Sequence, residues 1–446
     1  MDLPTGRFFF YPITSMIERI PISALPERAG AEARIAGFVV VVRVLKHVIF
    51  AVVQDRSGQV QVTIERGGDD ETALRLTPGS AVTVRGLVAM NPSVKLGGIE
   101  VIVSELDIVG PAEPELPIQE ESASELQLDW RFLALRRPRN RLVFEVQTTV
   151  LRAMRQYWAE HGFLELQSPK LMESASESGA ETFSTPYFEL GRAYLAQSPQ
   201  FYKQMAMAAG FERVFEVGPV FRAEPSMTPR HATEFTSVDV EISWIESHED
   251  VMRMEEEWLR HVLATVRAEH GTAIEREFGV QVCVPSVPFP AVTMAEAHAW
   301  LREVGHVIPA VTKAGDIDPE GERLIARRML EERGSEFVFI TEYPVSLRPF
   351  YHMRDGGVTR SFDLLWKGTE ITTGAQREHR FEQLARQAEE AGLGGSVAYY
   401  LDFFRYGCPP HGGFGLGLAR LLMLMLGLPS IREAVFLHRS PNRLRP

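Results

Sequence analysis

The chain has 446 residues, of which 45% are hydrophobic and 24% charged, with a formal net charge of −12. This composition is typical of a soluble globular protein, and the length allows two or three domains. The two cysteines, Cys283 and Cys408, exclude a disulfide framework and a Cys/His zinc site, and they favour a reducing, cytoplasmic compartment. The sequence has no recognisable signal peptide and no run of about 18 apolar residues, so we expect no membrane association.

The negative net charge alone argues against a nucleic-acid-binding protein, whose usual signature is basic. Binding depends on the local charge, however, and residues 31–66 have a small basic surplus. Five basic residues (Arg34, Arg43, Lys46, Arg56, Arg66) stand there against three acidic ones (Glu32, Asp55, Glu65), a balance of +2. The charge pattern therefore permits RNA binding in this region without requiring it.

Residues 30–110 contain five short runs rich in Val, Ile and Thr, separated by turns that contain Gly or Asp. This alternation predicts five β-strands, which suit an oligonucleotide-binding (OB) type barrel, although any small β-barrel has the same pattern. The next segment, residues 111–130, is dense in Pro, Glu and Ser and is predicted to be a hinge.

Apolar residues recur at helical spacing from Arg141 to His161, and a strand-like segment with Pro169 follows. Periodicity alone favours a helix that packs on its own core. Residues 246–350 are mixed, with helical stretches near residues 250–270 and 320–332, and they contain no polar cluster to which the sequence assigns a chemistry.

The stretch from Val214 to Glu246 predicts two antiparallel strands joined by a long polar turn that contains Pro225 and Pro229. It carries an unusual density of charged and aromatic side chains: Arg222, Glu224, Arg230, His231, Phe235, Asp239 and Glu241. Such a hairpin can hold an arginine against a phosphate while an aromatic ring faces a base. Each of these residues, taken singly, also fits an ordinary charged hairpin.

This stretch resembles motif 2 of the aspartyl/asparaginyl/lysyl group of class II aminoacyl-tRNA synthetases. Residues 162–172 (GFLELQSPKLM) resemble motif 1, and residues 412–446, beginning GGFGLGLAR, resemble motif 3. The resemblance implies an α+β protein with an OB-type anticodon-binding barrel (residues 1–110), a hinge (111–130) and a class II catalytic domain with an antiparallel sheet flanked by helices (131–446). It also implies an insertion within about 246–350 and a homodimer formed through motif 1.

The resemblance further implies that an amino-acid carboxylate attacks the α-phosphate of ATP, with Arg222 as the catalytic residue that stabilises the transition state. It assigns eight residues to ATP: Arg222, Glu224, Arg230, His231, Phe235, Glu370, Gly417 and Arg420. Glu370 and Thr373 would bind Mg²⁺, a cation that prefers oxygen ligands. The GGFGLG sequence does not support the hypothesis of a dinucleotide-binding motif, because the GxGxxG spacing and the βαβ context are missing.

Six residues match those that bind the amino acid in this family: Ser176, Glu177, Gln200, Lys203, Asp239 and Arg377. Ser176 and Glu177 belong to a segment with the small residues of a closing loop. Arg377 would pair with the side-chain carboxylate of aspartate and Lys203 would neutralise it, with Asp239 holding the lysine and the substrate ammonium. Lys203 favours aspartate over asparagine, because asparaginyl members typically lack this lysine.

Three barrel residues match positions that read the anticodon in the family: Phe50, Gln61 and Glu100. As isolated residues, Phe50 would be core and Gln61 solvent-facing. The resemblance therefore implies an aspartate–tRNA ligase acting on tRNA-Asp. The phenylalanine at Phe38, where strict members often have tryptophan, leaves tRNA-Asn open as a second substrate.

Ala419 stands where motif 3 usually has an acidic residue. Other functions also remain open at this point. They are an asparaginyl-tRNA synthetase, an asparagine synthetase on the same fold and a non-catalytic tRNA-binding paralogue. The barrel argues against the asparagine synthetase, which normally lacks it, and the retained Arg222 and Arg420 argue against the paralogue.

Overall fold

A computed structural model describes residues 19–67, 71–173 and 181–446. The chain divides into two compact units, Met1–Trp130 and Arg131–Pro446. Within the described ranges, no helix is both long enough and apolar enough to cross a membrane.

The first unit is a closed five-stranded barrel with strand order β1-β2-β3-β5-β4. Its described elements, after a 3-10 helix at Ile22–Arg28, are β1 (Glu32–Val44), β2 (Val48–Gln54), β3 (Gln59–Glu65), α1 (Glu71–Leu74), β4 (Ala81–Met90), β5 (Ile99–Gly110) and α2 (Ser124–Asp129). The β3–β5 pair is parallel, and the other pairs are antiparallel. The predicted OB-type barrel is confirmed.

Two glycines allow the barrel strands to approach one another closely. A Cβ atom at Gly37 would overlap the carbonyl oxygen of Gln54, and one at Gly86 would overlap that of Ile102. The β4–β5 register also shifts at Gly86. Glycine in a strand often marks such a bulge or close backbone approach, and these two positions help the sheet to close.

The second unit, from Arg131 onward, is built on one large sheet with helices packed against it. Its described strands are β6 (Leu164–Glu165), β7 (Leu171–Met172), β8 (Ser184–Pro186), β9 (Arg192–Leu195), β10 (Arg213–Phe221), β11 (Glu234–Ser243), β12 (Ala291–Thr293), β13 (Phe337–Thr341), β14 (Arg354–Asp355), β15 (Val358–Thr359), β16 (Ser361–Trp366), β17 (Thr369–Gln376) and β18 (His411–Gly417). Its described helices are α3 (Arg131–Ala134), α4 (Pro138–Glu160), α5 (Gln200–Ala208), α6 (His248–Phe278), α7 (Met294–Glu303), α8 (Pro319–Arg333), α9 (Phe381–Glu390), α10 (Ala398–Arg405), α11 (Leu418–Leu426) and α12 (Ile431–Ala434).

The sheet has eight strands in the order β12-β13-β16-β17-β18-β11-β10-β6. The six central strands are antiparallel, as predicted, whereas the edge pairs β12–β13 and β10–β6 are parallel. The α+β fold class is confirmed, with a mixed rather than purely antiparallel sheet. Within the segment 246–350, α6 packs into the main core and β12 and β13 extend the sheet.

Helices α4 and α6 cover one face of this sheet. Trp158 of α4 stacks on Trp258 of α6 at 5.1 Å, and Trp258 contacts Phe414 of β18 at 5.4 Å. Val238 and Val240 of β11 join this core. Because side chains alternate along a strand, the residues between them point to the opposite face, which is where polar groups collect.

Candidate active site

A cavity of about 320 Å³ opens on the polar face of the sheet. It is lined by every described residue predicted to bind ATP, Mg²⁺ or aspartate except Lys203: Gln200, Arg222, Glu224, Arg230, His231, Phe235, Asp239, Glu370, Thr373, Arg377, Gly417 and Arg420. Ser176 and Glu177 lie outside the described residues. A larger cavity of about 920 Å³ beside α7 and α8 contains none of the predicted residues. The smaller cavity is therefore the candidate active site.

The hairpin of β10 and β11 places an arginine beside an aromatic ring at one end of the cavity. Val220 lies opposite Phe235, and the guanidinium of Arg222 stands 5.4 Å from the centre of the Phe235 ring. The backbone N–H of Arg222 donates to the carbonyl oxygen of Thr233 at 2.9 Å, which closes the base of the connecting loop. This end combines a cation with an aromatic face, as a nucleotide site requires.

The loop between the two strands carries an imidazole and a second guanidinium, those of His231 and Arg230. His231 is hydrogen-bonded to Thr228, and burial and then the nearby charge of Arg420 hold the pKa of His231 below its ordinary value. Arg230 lies 3.8 Å from Glu322 of α8. Burial, and then the neighbouring carboxylate of Glu370, raises the pKa of Glu322 to about 8. No sequence pattern singles out Glu322, which lies in the region predicted to contain an insertion.

Glu370 and Thr373 share the site face because of a bulge in β17. Leu365 pairs with Glu370 and Leu364 with Thr372, so Ile371 is an extra residue. In a regular strand, residues three apart such as Glu370 and Thr373 would point to opposite faces.

The Thr373 hydroxyl donates to Glu370 Oε1 at 3.3 Å. Arg420 Nη1 donates to the carbonyl oxygen of Glu370 at 2.8 Å and lies 3.3 Å from its carboxylate. No group of three His, Cys, Asp or Glu side chains in the described ranges forms a closed metal cage. The pair instead fits Mg²⁺, which is commonly bound by one or two carboxylates together with substrate phosphates and water.

Lys203 lies beneath the cavity, where its ammonium group is enclosed by oxygen atoms. Nζ is 3.0 Å from Asp239 and 3.3 Å from Glu241, and it donates to the carbonyl oxygens of Val240 and Phe414 at 3.3 Å each. The Lys203 side chain is only 2% exposed. A buried ammonium needs such partners because desolvation of an isolated charge is very unfavourable.

Arg377 is the second buried cation of the cluster. It donates to Glu241 at 3.0 Å, to the carbonyl oxygen of Gly413 at 2.8 Å and to His352 at 2.9 Å. Complete burial by itself would raise the pKa of Glu241, but Arg377 and then Lys203 hold it below the ordinary value. The two positive charges of Lys203 and Arg377 are thus balanced by the carboxylates of Asp239 and Glu241 before any substrate enters.

Two residues of this cluster, Glu241 and His352, have no assigned role in the predicted site. Glu241 lies two residues after Asp239 on β11, so strand alternation could have placed it on the same face. Nothing in the local sequence marks His352. Gly413 is also essential to the arrangement, because a Cβ atom there would overlap the carbonyl oxygen of Val240.

Gln200 begins α5 and is 5% exposed. Its Nε2 donates to Gln204 at 3.1 Å, and Gln204 in turn accepts a bond from Tyr400 at 2.9 Å. Gln200 lines the cavity from this amide network. It is therefore placed to contact the same bound molecule as Arg377.

The three predicted anticodon residues share one face of the barrel. Phe50 pairs with Thr63, and Gln61 pairs with Glu100. Glu100 accepts bonds from Gln61 at 3.0 Å, from Asn91 at 2.8 Å and from Thr63. Although burial acts to raise it, these bonds hold the pKa of Glu100 below its ordinary value. Phe50 is half-buried, so it is not the core residue that an isolated reading predicts.

Two protein families match the two units of the chain. The family model described as tRNA synthetases class II (D, K and N) matches residues 123–440, and that of the OB-fold nucleic acid binding domain matches residues 33–109. The chain is 41% identical to the aspartate–tRNA(Asp/Asn) ligase of Aeropyrum pernix over 95% of this chain and 98% of that protein. It is 40% identical to the aspartate–tRNA(Asp) ligase of Pyrococcus abyssi, over 94% and 97% respectively.

Among solved structures, that of the Pyrococcus horikoshii asparaginyl-tRNA synthetase complexed with asparaginyl-adenylate is similar, with a TM-score of 0.88 and 32% identity. The match covers 97% of this chain and all of that one. The family match spans most of the second unit, including every described residue of the cavity. The chain therefore belongs to the class II tRNA synthetases of the D, K and N group.

Proposed function

We propose that the protein is an aspartate–tRNA ligase, which activates aspartate with ATP and transfers it to tRNA-Asp. The observation that carries the choice of amino acid is a buried pair of cations: Arg377, which lines the cavity, and Lys203, which lies beneath it. A side-chain carboxylate is the group that such a pocket favours, because charge-assisted bonds are strong where water is excluded. Asparagine offers a neutral amide, which gains less from both cations.

In the first step, the α-carboxylate of aspartate attacks the α-phosphate of ATP and pyrophosphate leaves. Arg222, at the end of β10, is proposed to stabilise the charge that develops on the α-phosphate. Phe235 and Arg420 would hold the adenine ring between them, with Glu224, Arg230, His231 and Gly417 around the nucleotide. Glu370 and Thr373 would hold Mg²⁺, which neutralises phosphate charge when bound. In the second step, a ribose hydroxyl at the 3′ end of the tRNA attacks the aspartyl carbonyl, and AMP leaves.

Gln200, Lys203, Asp239 and Arg377 are proposed to bind the aspartate, together with Ser176 and Glu177. The family role of a closing loop supports the inclusion of these last two. Because Asp239 lies 3.0 Å from Lys203 and also lines the cavity, it can hold both the lysine and the ammonium group of the substrate.

The barrel residues Phe50, Gln61 and Glu100 are proposed to contact the anticodon. A half-buried aromatic ring beside an amide and a carboxylate on one face offers both stacking and hydrogen bonding to bases. The Aeropyrum pernix relative is an aspartate–tRNA(Asp/Asn) ligase, and this supports tRNA-Asn as a second acceptor here.

A homodimer is proposed as well. β6 is an edge strand of the main sheet, with Leu164 51% exposed, and the neighbouring Leu171 is 46% exposed. An apolar sheet edge is usually covered in the functional protein. Light scattering coupled to size-exclusion chromatography should give about twice the chain mass, and a monomer at micromolar concentration would contradict this proposal.

The proposed function is tested by loading radiolabelled aspartate and asparagine, separately, onto purified tRNA-Asp and tRNA-Asn with ATP and Mg²⁺. Aspartate on tRNA-Asp is the expected result, and aspartate on both tRNAs would establish the second acceptor. Loading of asparagine alone would show that the argument from Lys203 is wrong. Absence of any loading would favour a non-catalytic tRNA-binding protein.

A further inference from the structure

The guanidinium of Arg377 is held by three buried groups, and one of them, His352, has no part in the function proposed above. Nε donates to Glu241, Nη2 to the carbonyl oxygen of Gly413, and Nη1 to Nε2 of His352 at 2.9 Å. Arg377 is 3% exposed and His352 is 2% exposed. These bonds are therefore shielded from water. In such a buried environment each bond has a larger effect than it would have at the surface.

The backbone holds His352 opposite Arg377. The two residues form an isolated antiparallel bridge, and the N–H of Met353 donates to the carbonyl oxygen of Gln376 at 3.0 Å. On the other side, the Gln387 side chain of α9 donates to the carbonyl oxygen of His352 at 3.1 Å. The backbone of His352 is thus held beside the end of β17 and by α9, which places its imidazole within reach of the guanidinium.

The imidazole must be neutral in this arrangement, because a guanidinium only donates and Nε2 has to accept. Burial, and then the positive charges of Arg377 and Arg348, hold the pKa of His352 well below its ordinary value, in agreement with this. Of the five N–H groups of Arg377, two are directed at Glu241, one at Gly413 and one at His352. In the described part of the chain, this leaves one N–H on Nη1 for a bound molecule.

We infer that His352 is a positioning residue for the amino acid: it occupies one N–H of Arg377 Nη1 and directs the other at the side-chain carboxylate of bound aspartate. The inference rests on the proposed function. Guanidinium–carboxylate bonds are directional, so an arginine whose Nη1 is unsatisfied binds a carboxylate in a less defined geometry. His352 thus acts through Arg377 and not through the nucleotide.

The test compares His352→Leu, which removes the acceptor, with His352→Gln, whose amide oxygen can take the position of Nε2. Aspartate-dependent ATP–pyrophosphate exchange is measured with each substrate varied in turn. We expect His352→Leu to raise KM for aspartate about 10- to 100-fold, as for loss of a bond to a charged group. KM for ATP should change less than about threefold, and His352→Gln should stay within about threefold of the parent, since a retained acceptor preserves most of that contact.

His379→Leu is the matched control. His379 is half-buried and lies two residues from Arg377, but the guanidinium bonds to Glu241, Gly413 and His352 and not to His379 in the described part of the chain. The His379→Leu substitution should leave KM for aspartate and KM for ATP unchanged. In the Arg377→Gln background, His352→Leu should cause no further rise in KM for aspartate, because the two residues act as one unit.

An inactive parent protein would overturn the proposed function itself. With an active parent, the inference fails if His352→Leu leaves KM for aspartate unchanged, if both KM values rise together, or if His352→Gln is as damaging as His352→Leu. Thermal melting checks that each variant is folded. If His352→Leu does not fold, His352→Asn, whose amide is too short to reach Nη1, replaces it with the same expected rise.

Discussion

Replacing Lys203 by glutamine removes a positive charge from beneath the cavity while keeping a polar side chain of similar length. In the parent protein, the ammonium group of Lys203 lies 3.0 Å from Asp239 and 3.3 Å from Glu241. Both carboxylates would remain in the variant, with Arg377 as the neighbouring cation. They would repel the side-chain carboxylate of aspartate, so the change acts on aspartate far more than on ATP.

The size of the effect follows from the burial of Lys203, which is 2% exposed. A carboxylate bound about 4 Å from the ammonium would lose about 4 kcal/mol of attraction at an effective dielectric constant of about 20. Since about 1.4 kcal/mol corresponds to a factor of ten, kcat/KM for aspartate should fall roughly a thousandfold. Asparagine lacks this charge, so the ratio of aspartate to asparagine use should fall by a similar factor.

The assay is pyrophosphate exchange with aspartate, asparagine and ATP varied in turn. Lys367→Gln is the control, because Lys367 also pairs with a carboxylate, Glu336 at 3.6 Å, but this carboxylate does not belong to the cluster of Lys203, Asp239, Glu241 and Arg377. A folded Lys203→Gln protein whose kcat/KM for aspartate falls less than about tenfold would refute the electrostatic reasoning, since about 4 kcal/mol was expected. An equal loss for aspartate and ATP would indicate a structural role. Lys203→Met, which also removes the charge, serves with the same expected fall if the glutamine variant does not fold.

Three further outcomes are expected. Arg222→Ala should reduce pyrophosphate exchange by about 100-fold or more, as for loss of transition-state stabilisation, yet retain tRNA binding on filters; parental exchange would exclude the assigned role. Phe50→Ala should weaken tRNA binding by about 1–3 kcal/mol without changing pyrophosphate exchange, because stacking on a base is lost; unchanged binding would place the anticodon elsewhere. Burial raises the pKa of Glu255 to about 8 although Thr372 donates to it. The folded pKa is then above the unfolded one, so stability present at low pH is lost as pH rises from about 4.5 to about 8. Glu255→Gln lacks this loss, so its melting temperature relative to that of the parent protein should rise as pH increases through this range. A difference in melting temperature that does not change with pH would contradict the assignment.

Much of the fold was predictable because strands and helices leave a periodic pattern of apolar residues in the local sequence. Alternating apolar residues predicted the five barrel strands, and helical spacing predicted the helix that the structure places at Pro138–Glu160. The polar turn between β10 and β11 was marked by its prolines and charges. These features depend on neighbours a few residues apart, and sequence periodicity reports them directly.

The edges of the sheet were less predictable. β12 and β13 are joined in parallel at one edge and β6 at the other, where the prediction was an antiparallel sheet. These strands are two to five residues long. Such short segments carry too little alternation to indicate a partner, and their direction is decided by where the connecting helices return the chain.

The sequence by itself determined which residue types are available for the chemistry, through three motifs in a fixed order. Only the tertiary structure decided that Lys203, Glu241 and Arg377, from three separate elements, form one balanced charge cluster. It also decided that the extra residue Ile371 turns Glu370 to the site face, and that His352 meets Arg377. The physical reason is that a buried charge requires oppositely charged or polar partners. Which distant side chains those partners are depends on which strands and helices pack together, and sequence periodicity does not specify this.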